Sequence, residues 1–274
     1  MLRRALSALL LGTSLGLAAL TGPAVAQSAS VPPPDIAARS WFLFDVTTNT
    51  VLYSQTPDER VEPASLTKLM TAYVVFEALR DGTLKPDARP PVSSRAYKSA
   101  GSRMFVDPRS PATVDELLHG LIIQSGNDAA IILAEAVAGS EEQFAEQMNA
   151  EARRLGMKNS HFVNASGLPA PDHYSSARDM AVLATRIIKE FPQYYRLYSE
   201  REYTFNGVRQ PNRNRLLAID PSVDGMKTGF TDAAGYCLVA SAHREQKNAT
   251  DPQGSQFSRR ILSVLLGASS DATR

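Results

Sequence analysis

The sequence predicts an α+β fold, a mostly antiparallel sheet formed by N- and C-terminal strands and packed with a central helical cluster. Three observations predict it. Short runs rich in β-branched and aromatic residues lie near the start and again beyond residue 200, the stretch between them repeats apolar residues at helical spacing, and no linker divides that middle.

In chain order, residues 1–26 read as a secretory signal peptide. "MLRR" supplies positive charge, "ALSALLLGTSLGLAAL" an apolar stretch, and Ala24 to Ala26 a small-x-small cleavage signature, which implies an exported, periplasmic protein. Residues 27–34 form a proline-rich leader that cannot sustain a helix. "SWFLFDVTTNTVLYSQ" reads as two strands around a Thr-Thr-Asn-Thr turn. From Ser65 to Leu79 a helix is expected, with Leu66, Leu69, Met70, Tyr73, Val74 and Phe76 at core spacing. "PATVDELLHGLIIQ" opens on a capping box, Thr113 to Glu116, and runs into "SGN". Further helices are expected from Asp128 to Gly139, from Ser140 to a stop at Gly156, and over "SSARDMAVLATRIIKEF" to Pro192. Glu141 and Glu142 then read as a solvated helix start. After that come the strand-like runs "REYTFNGVRQ", "VDGMKTGF", "GYCLVASA" and "RRILSVLLG", with "HREQKNATDPQGSQFS" as a polar loop.

Composition narrows the function. The 274 residues are 43% hydrophobic and 21% charged, and 29 basic against 28 acidic side chains leave a net charge of +1. That balance gives no basic stripe for nucleic acid. No segment after the signal is apolar for long enough to span a bilayer, so no transmembrane helix is expected in the mature chain. The single cysteine, Cys237, excludes an intrachain disulfide and reads as a buried strand residue. His119, His161, His173 and His243 lack metal-ligand spacing, and no phosphate loop or dinucleotide fingerprint occurs, so neither metal nor cofactor is expected.

Three short words carry chemistry. Ser65-x-x-Lys68 heads the first helix, Ser125-Gly126-Asn127 joins two helices, and Lys227-Thr228-Gly229 lies on an expected strand. Each alone is common; together, in order and on suitable elements, they form a constellation. Positions i and i+3 of a helix share a face, so Ser65 and Lys68 come within reach of each other. A serine hydroxyl is a poor nucleophile until a base takes its proton. No histidine is near in sequence, so Lys68 is the candidate base, provided it is neutral. Bringing a lysine from about 10.4 towards 7 requires roughly 4 to 5 kcal/mol against the charged form. Burial can supply that, aided by a second cation, for which Lys227 is the candidate.

These words, with "FVNASGL", "YSSARDMA" and "RQPNRNRLL", resemble the serine penicillin-recognising enzymes. More narrowly, the chain resembles the low-molecular-mass penicillin-binding proteins of the D-alanyl-D-alanine carboxypeptidase group, in the DD-peptidase/β-lactamase-like superfamily. The resemblance implies that residues 35–274 are a DD-peptidase catalytic domain. It also implies removal of terminal D-alanine from a peptidoglycan stem peptide ending in D-Ala-D-Ala, with β-lactam antibiotics as covalent inhibitors. By the same resemblance Ser125 relays a proton to the leaving amine, Asn127 holds the substrate amide, and Lys227 with Thr228 binds the terminal carboxylate. Gly229 admits the substrate backbone, Phe230 adds its N–H to that of Ser65 in an oxyanion hole, and Arg213 lines the site. Many relatives carry histidine where Phe230 stands; a role played by backbone alone permits either. Many also continue into a second β-rich domain and an amphipathic tail, so no tail-mediated membrane attachment is expected of a chain stopping at Arg274. A D,D-endopeptidase acting on cross-links would use the same machinery. A β-lactamase is the less favoured alternative, because no glutamate occurs between Glu151 and Glu190 to deliver a deacylating water.

Overall fold

The computed structural model describes residues 32–33, 35–247 and 256–274. The signal-peptide reading of residues 1–26 and most of the leader therefore lie outside the described residues. Strand β1 (Ala38–Asp45) turns into β2 (Thr50–Gln55) as the sequence predicts. The turn is set locally: the Asp45 carboxylate accepts the N–H groups of Thr47 and Thr48, and Asn49 takes the left-handed conformation it tolerates better than most residues.

The first helix begins differently from expectation. Ala64–Leu66 form a 3₁₀ turn, and α1 proper runs from Thr67 to Arg80. Ser65 thus stands one turn ahead of the α-helix. Three residues per turn still stacks it over Lys68. Most of α1 is buried, on every side, so it is the central helix of the molecule. Around it lie α2 (Ser94–Tyr97), α3 (Val114–His119), α4 (Asn127–Ala138), α5 (Glu141–Leu155), α6 (Ala177–Glu190) and α7 (Pro192–Tyr195). The capping box forms: Thr113 Oγ1 accepts from Glu116 N, and the Glu116 carboxylate accepts from Thr113 N. Gly156 ends α5 at φ 78°, and Pro192 sits at the start of α7, where its missing N–H costs nothing.

Between α3 and α4 the chain widens into a π-helical turn, Gly120–Gln124. Glu141 departs from its sequence reading. Its carboxylate is buried and accepts the Ala165 N–H at 3.0 Å, so it pins a loop rather than facing solvent.

β3 (Glu202–Phe205) and β4 (Val208–Pro211) close on Asn206-Gly207, both at positive φ, and form a separate two-stranded sheet. A short α8 (Leu216–Ile219) leads to β5 (Val223–Thr231), β6 (Gly235–Lys247) and β7 (Gln256–Ala268). The main sheet is antiparallel in the order β2-β1-β7-β6-β5, so both chain ends do build one sheet. The expected polar loop is partly strand. His243–Lys247 pairs onward with Gln256–Arg260, and the side chains from His243 to Glu245 are exposed, so this ribbon rests on cross-strand hydrogen bonds rather than an apolar face. Phe42, Val239, Val264 and Ile187 of α6 share the core between sheet and helices. Cys237 is buried in β6, as its sequence context suggests. Among the described residues no helix is long and apolar enough to cross a membrane.

Candidate active site

The free edge strand β5 runs beside the Ser65 turn, and two glycines clamp that turn. A Cβ on Gly167 would fall 1.9 Å from the Ala64 carbonyl, and one on Gly229 would meet Ala64, Pro63 and the Ser65 nitrogen at 3.1 Å. Gly229 therefore lies so close to the backbone of the Ser65 turn that a side chain there would force its neighbours to shift by a few tenths of an ångström. Ala64 accepts φ 48° within this squeeze.

Lys68 Nζ lies 3.0 Å from Ser65 Oγ, 2.7 Å from Asn127 Oδ1 and 2.6 Å from the Ser166 carbonyl. The latter two can only accept. A neutral amine has two hydrogens and one lone pair, so giving both hydrogens to those acceptors leaves the lone pair for the Ser65 hydroxyl. Lys68 is 1% exposed, and burial brings its pKa down to about 7, against a pull upward from the Asp128 carboxylate. Burial is the largest cause of that lowering, and the mutual repulsion between the Lys68 and Lys227 amines disfavours charging both. Lys227 is also pushed well down, first by burial and then by the charges of Lys68, Arg213 and Arg274.

Ser125 follows the π-helical turn at φ 66°, a conformation few non-glycine residues hold without a functional reason. Lys227 Nζ donates to Ser125 Oγ at 2.8 Å and to the Thr228 carbonyl at 3.1 Å. Asn127 is more occupied than the resemblance implies. Its Oδ1 holds Lys68 and its Nδ2 donates to the Ala100 carbonyl at 2.6 Å, so both ends of the amide serve the protein itself.

Ser65, Ser102, Ser125, Arg213, Thr228, Gly229 and Phe230 line one cleft of about 610 Å³, together with Arg215, Tyr236, Asp271 and Arg274. Lys68, Asn127 and Lys227 are buried behind its wall. The exposed Phe230 ring packs at a tilt of 37° against Tyr236, with centroids 4.4 Å apart. Sequence reasoning missed Arg274, which donates to the Gly229 carbonyl at 3.0 Å and pairs with Asp271. It also missed Asp128, which accepts the N–H groups of Met104, Phe105 and Val106, and Ser166. The acidic neighbour of "SGN" and the glycine-bounded "NASG" were the available signals. Among the described residues no group of three or more His, Cys, Asp or Glu side chains could hold a metal.

Comparison with known proteins identifies the family and the fold. The profile of the D-alanyl-D-alanine carboxypeptidase family, peptidase S11, matches residues 26–251. D-alanyl-D-alanine carboxypeptidase DacC of Escherichia coli (strain K12) is 43% identical over 98% of this chain, which spans 66% of that relative's length. Penicillin binding protein 5 from Haemophilus influenzae superposes with a TM-score of 0.80 at 41% identity, over 89% of this chain and 69% of that one. Penicillin-Binding Protein D2 from Listeria monocytogenes, in its ampicillin-bound form, gives 0.76 at 29% identity, over 89% and 95%. With a serine, a buried lysine and a Lys-Thr-Gly edge strand assembled on that shared fold, the chain belongs to the D-alanyl-D-alanine carboxypeptidase family of low-molecular-mass penicillin-binding proteins.

Proposed function

We propose that this chain is a serine-type D-Ala-D-Ala carboxypeptidase, acting in the bacterial periplasm on peptidoglycan stem pentapeptides. Residues 35–274 form its catalytic domain, and residues 1–26 are the export signal. The observation that carries the reading is the Lys68 amine, buried, brought down to about 7 and 3.0 Å from Ser65 Oγ. Lys68 takes the hydroxyl proton as Ser65 Oγ attacks the carbonyl carbon of the penultimate D-alanine. The backbone N–H groups of Ser65 and Phe230 receive the oxyanion. Lys227 donates to Ser125 Oγ, which leaves the Ser125 hydroxyl hydrogen free to reach the departing amine; Lys68 returns the proton through it. Terminal D-alanine leaves, and water, deprotonated by the same lysine, hydrolyses the ester.

The terminal carboxylate falls to Thr228, Arg213 and Arg274, the hydroxyl and two guanidinium groups on the cleft wall. Lys227 supports them from behind. A β-lactam acylates the same serine. Release is slow, because the segment crossing Lys68 offers the Ser166 carbonyl and contains no glutamate between Glu151 and Glu190. The test is intact mass after benzylpenicillin, with the modified peptide mapped, alongside D-alanine release from a pentapeptide. One stable adduct on Ser65, with both activities absent in Ser65→Ala, is expected; D-alanine release by Ser65→Ala would overturn the assignment.

A further inference from the structure

The segment Gly101–Val106 carries a residue that the fold does not explain. Three consecutive N–H groups, of Met104, Phe105 and Val106, wrap the buried Asp128 carboxylate at 2.9, 2.8 and 3.2 Å. That wrap puts residue 105 at φ 67°. Glycine would hold this conformation at ease; a phenylalanine holds it under strain. Met104 and Val106 turn inward and are buried, whereas the Phe105 ring is 60% exposed. The side chain thus adds strain and exposed apolar surface while packing little of the core. Residues that break local rules without a structural return mark places of function.

Its setting points to a ligand. The Arg103 guanidinium lies 4.8 Å over one face of the ring and is steadied by a bond to the Tyr97 carbonyl at 2.9 Å. Ser102 lines the active-site cleft, and the Met104 carbonyl accepts from Gln210, the neighbour of cleft-lining Pro211. Two residues separate Phe105 from Ser102, so three Cα–Cα steps keep its backbone within about 11 Å of the cleft wall. A stem peptide whose D-Ala-D-Ala end fills the cleft is joined at its other end to sugar. A pyranose ring offers a C–H face to an aromatic ring, and hydroxyl and acetamido oxygens to a guanidinium.

We propose that Phe105, backed by Arg103, is a binding contact for the amino sugar of peptidoglycan at the rim of the cleft. The proposal rests on the carboxypeptidase reading. The experiment compares kcat/KM for D-alanine release from a free pentapeptide and from the same pentapeptide carried on its disaccharide, in wild type, Phe105→Gly and Phe105→Ala. Benzylpenicillin labelling of Ser65 and the melting temperature are measured alongside. Wild type is expected to prefer the disaccharide substrate by about three- to tenfold, the range of one aromatic stacking contact. Both variants are expected to erase the preference while leaving the free peptide and the labelling unchanged, and Phe105→Gly is expected to melt no lower than wild type. The proposal is overturned if wild type shows no preference, if the variants keep it, or if they slow both substrates equally. Wild type that neither labels nor releases D-alanine would instead sink the carboxypeptidase reading itself, and this proposal with it.

Discussion

Lys68 Nζ stands 3.0 Å from Ser65 Oγ with its other two partners both obligate acceptors, Asn127 Oδ1 and the Ser166 carbonyl. In the neutral amine both hydrogens go to those acceptors and the lone pair faces the Ser65 hydroxyl, whereas the ammonium would donate to all three.

The rate of acylation therefore follows the fraction of neutral Lys68. Since burial sets that pKa at about 7, the second-order rate constant for benzylpenicillin is expected to rise with pH through about 7 and then level off. Lys68→Met is expected to lower it by about 10²- to 10⁴-fold, the usual worth of a positioned base. A stopped-flow pH profile that is flat from 5 to 9 would contradict this.

Asp128 pulls the Lys68 pKa upward while its carboxylate holds three backbone N–H groups. Asp128→Asn removes the charge, so the midpoint of the same profile is expected to move to lower pH. The lost charged acceptor is expected to destabilise the fold by at least about 2 kcal/mol. Denaturant melts and the acylation profile of the variant check the two effects separately.

His173 accepts from Val163 N through Nδ1, so its proton is on Nε2 and is donated to Thr67 Oγ1 at 2.8 Å, one residue before Lys68. Burial, and then the charge of His161, hold it down to about 4. An unfolded chain takes up this proton near pH 6.5 and the folded one only near 4, so stability is expected to fall as pH drops through that window, by about 3 kcal/mol in all. His173→Gln offers a donor and an acceptor but does not titrate. It is expected to flatten that slope, whereas His173→Leu is expected to cost about 1–3 kcal/mol at neutral pH by orphaning both partners.

Glu77 lies among Glu151, Arg154 and Arg80, and burial with the Glu151 charge raises it to about 7. The folded state thus keeps a proton that the unfolded state releases near 4.5. Stability from this group is complete below about 4.5 and is lost as pH rises to about 7. Glu77→Gln is expected to reduce the fall in melting temperature over that interval. An unchanged slope would remove Glu77 as its source.

Much of the architecture was legible because its signals are local. Thr113 and Glu116 cap their helix, and Gly156 stops another. The 3₁₀ turn under Ser65 was hidden, since the backbone packed closely against it, at Gly167 and Gly229, comes from far away in the chain. Glu141 read as solvated for the same reason: its partner, Ala165 N, comes from another loop. The ribbon beyond His243 was hidden because a solvated strand pair has the composition of a loop.

The residues alone determined which groups can do chemistry: a hydroxyl and an amine one turn apart, a second serine in a helix junction, a Lys-Thr-Gly strand. Spacing fixes such neighbours because a helical turn brings i and i+3 together in any context. Only the tertiary structure decided that Lys68 is dry, that Asn127 is spent on it, and that Arg274 reaches Gly229 from 45 residues away. Desolvation and long-range contact arise when separate elements close on one another, and no short stretch of sequence records that closure.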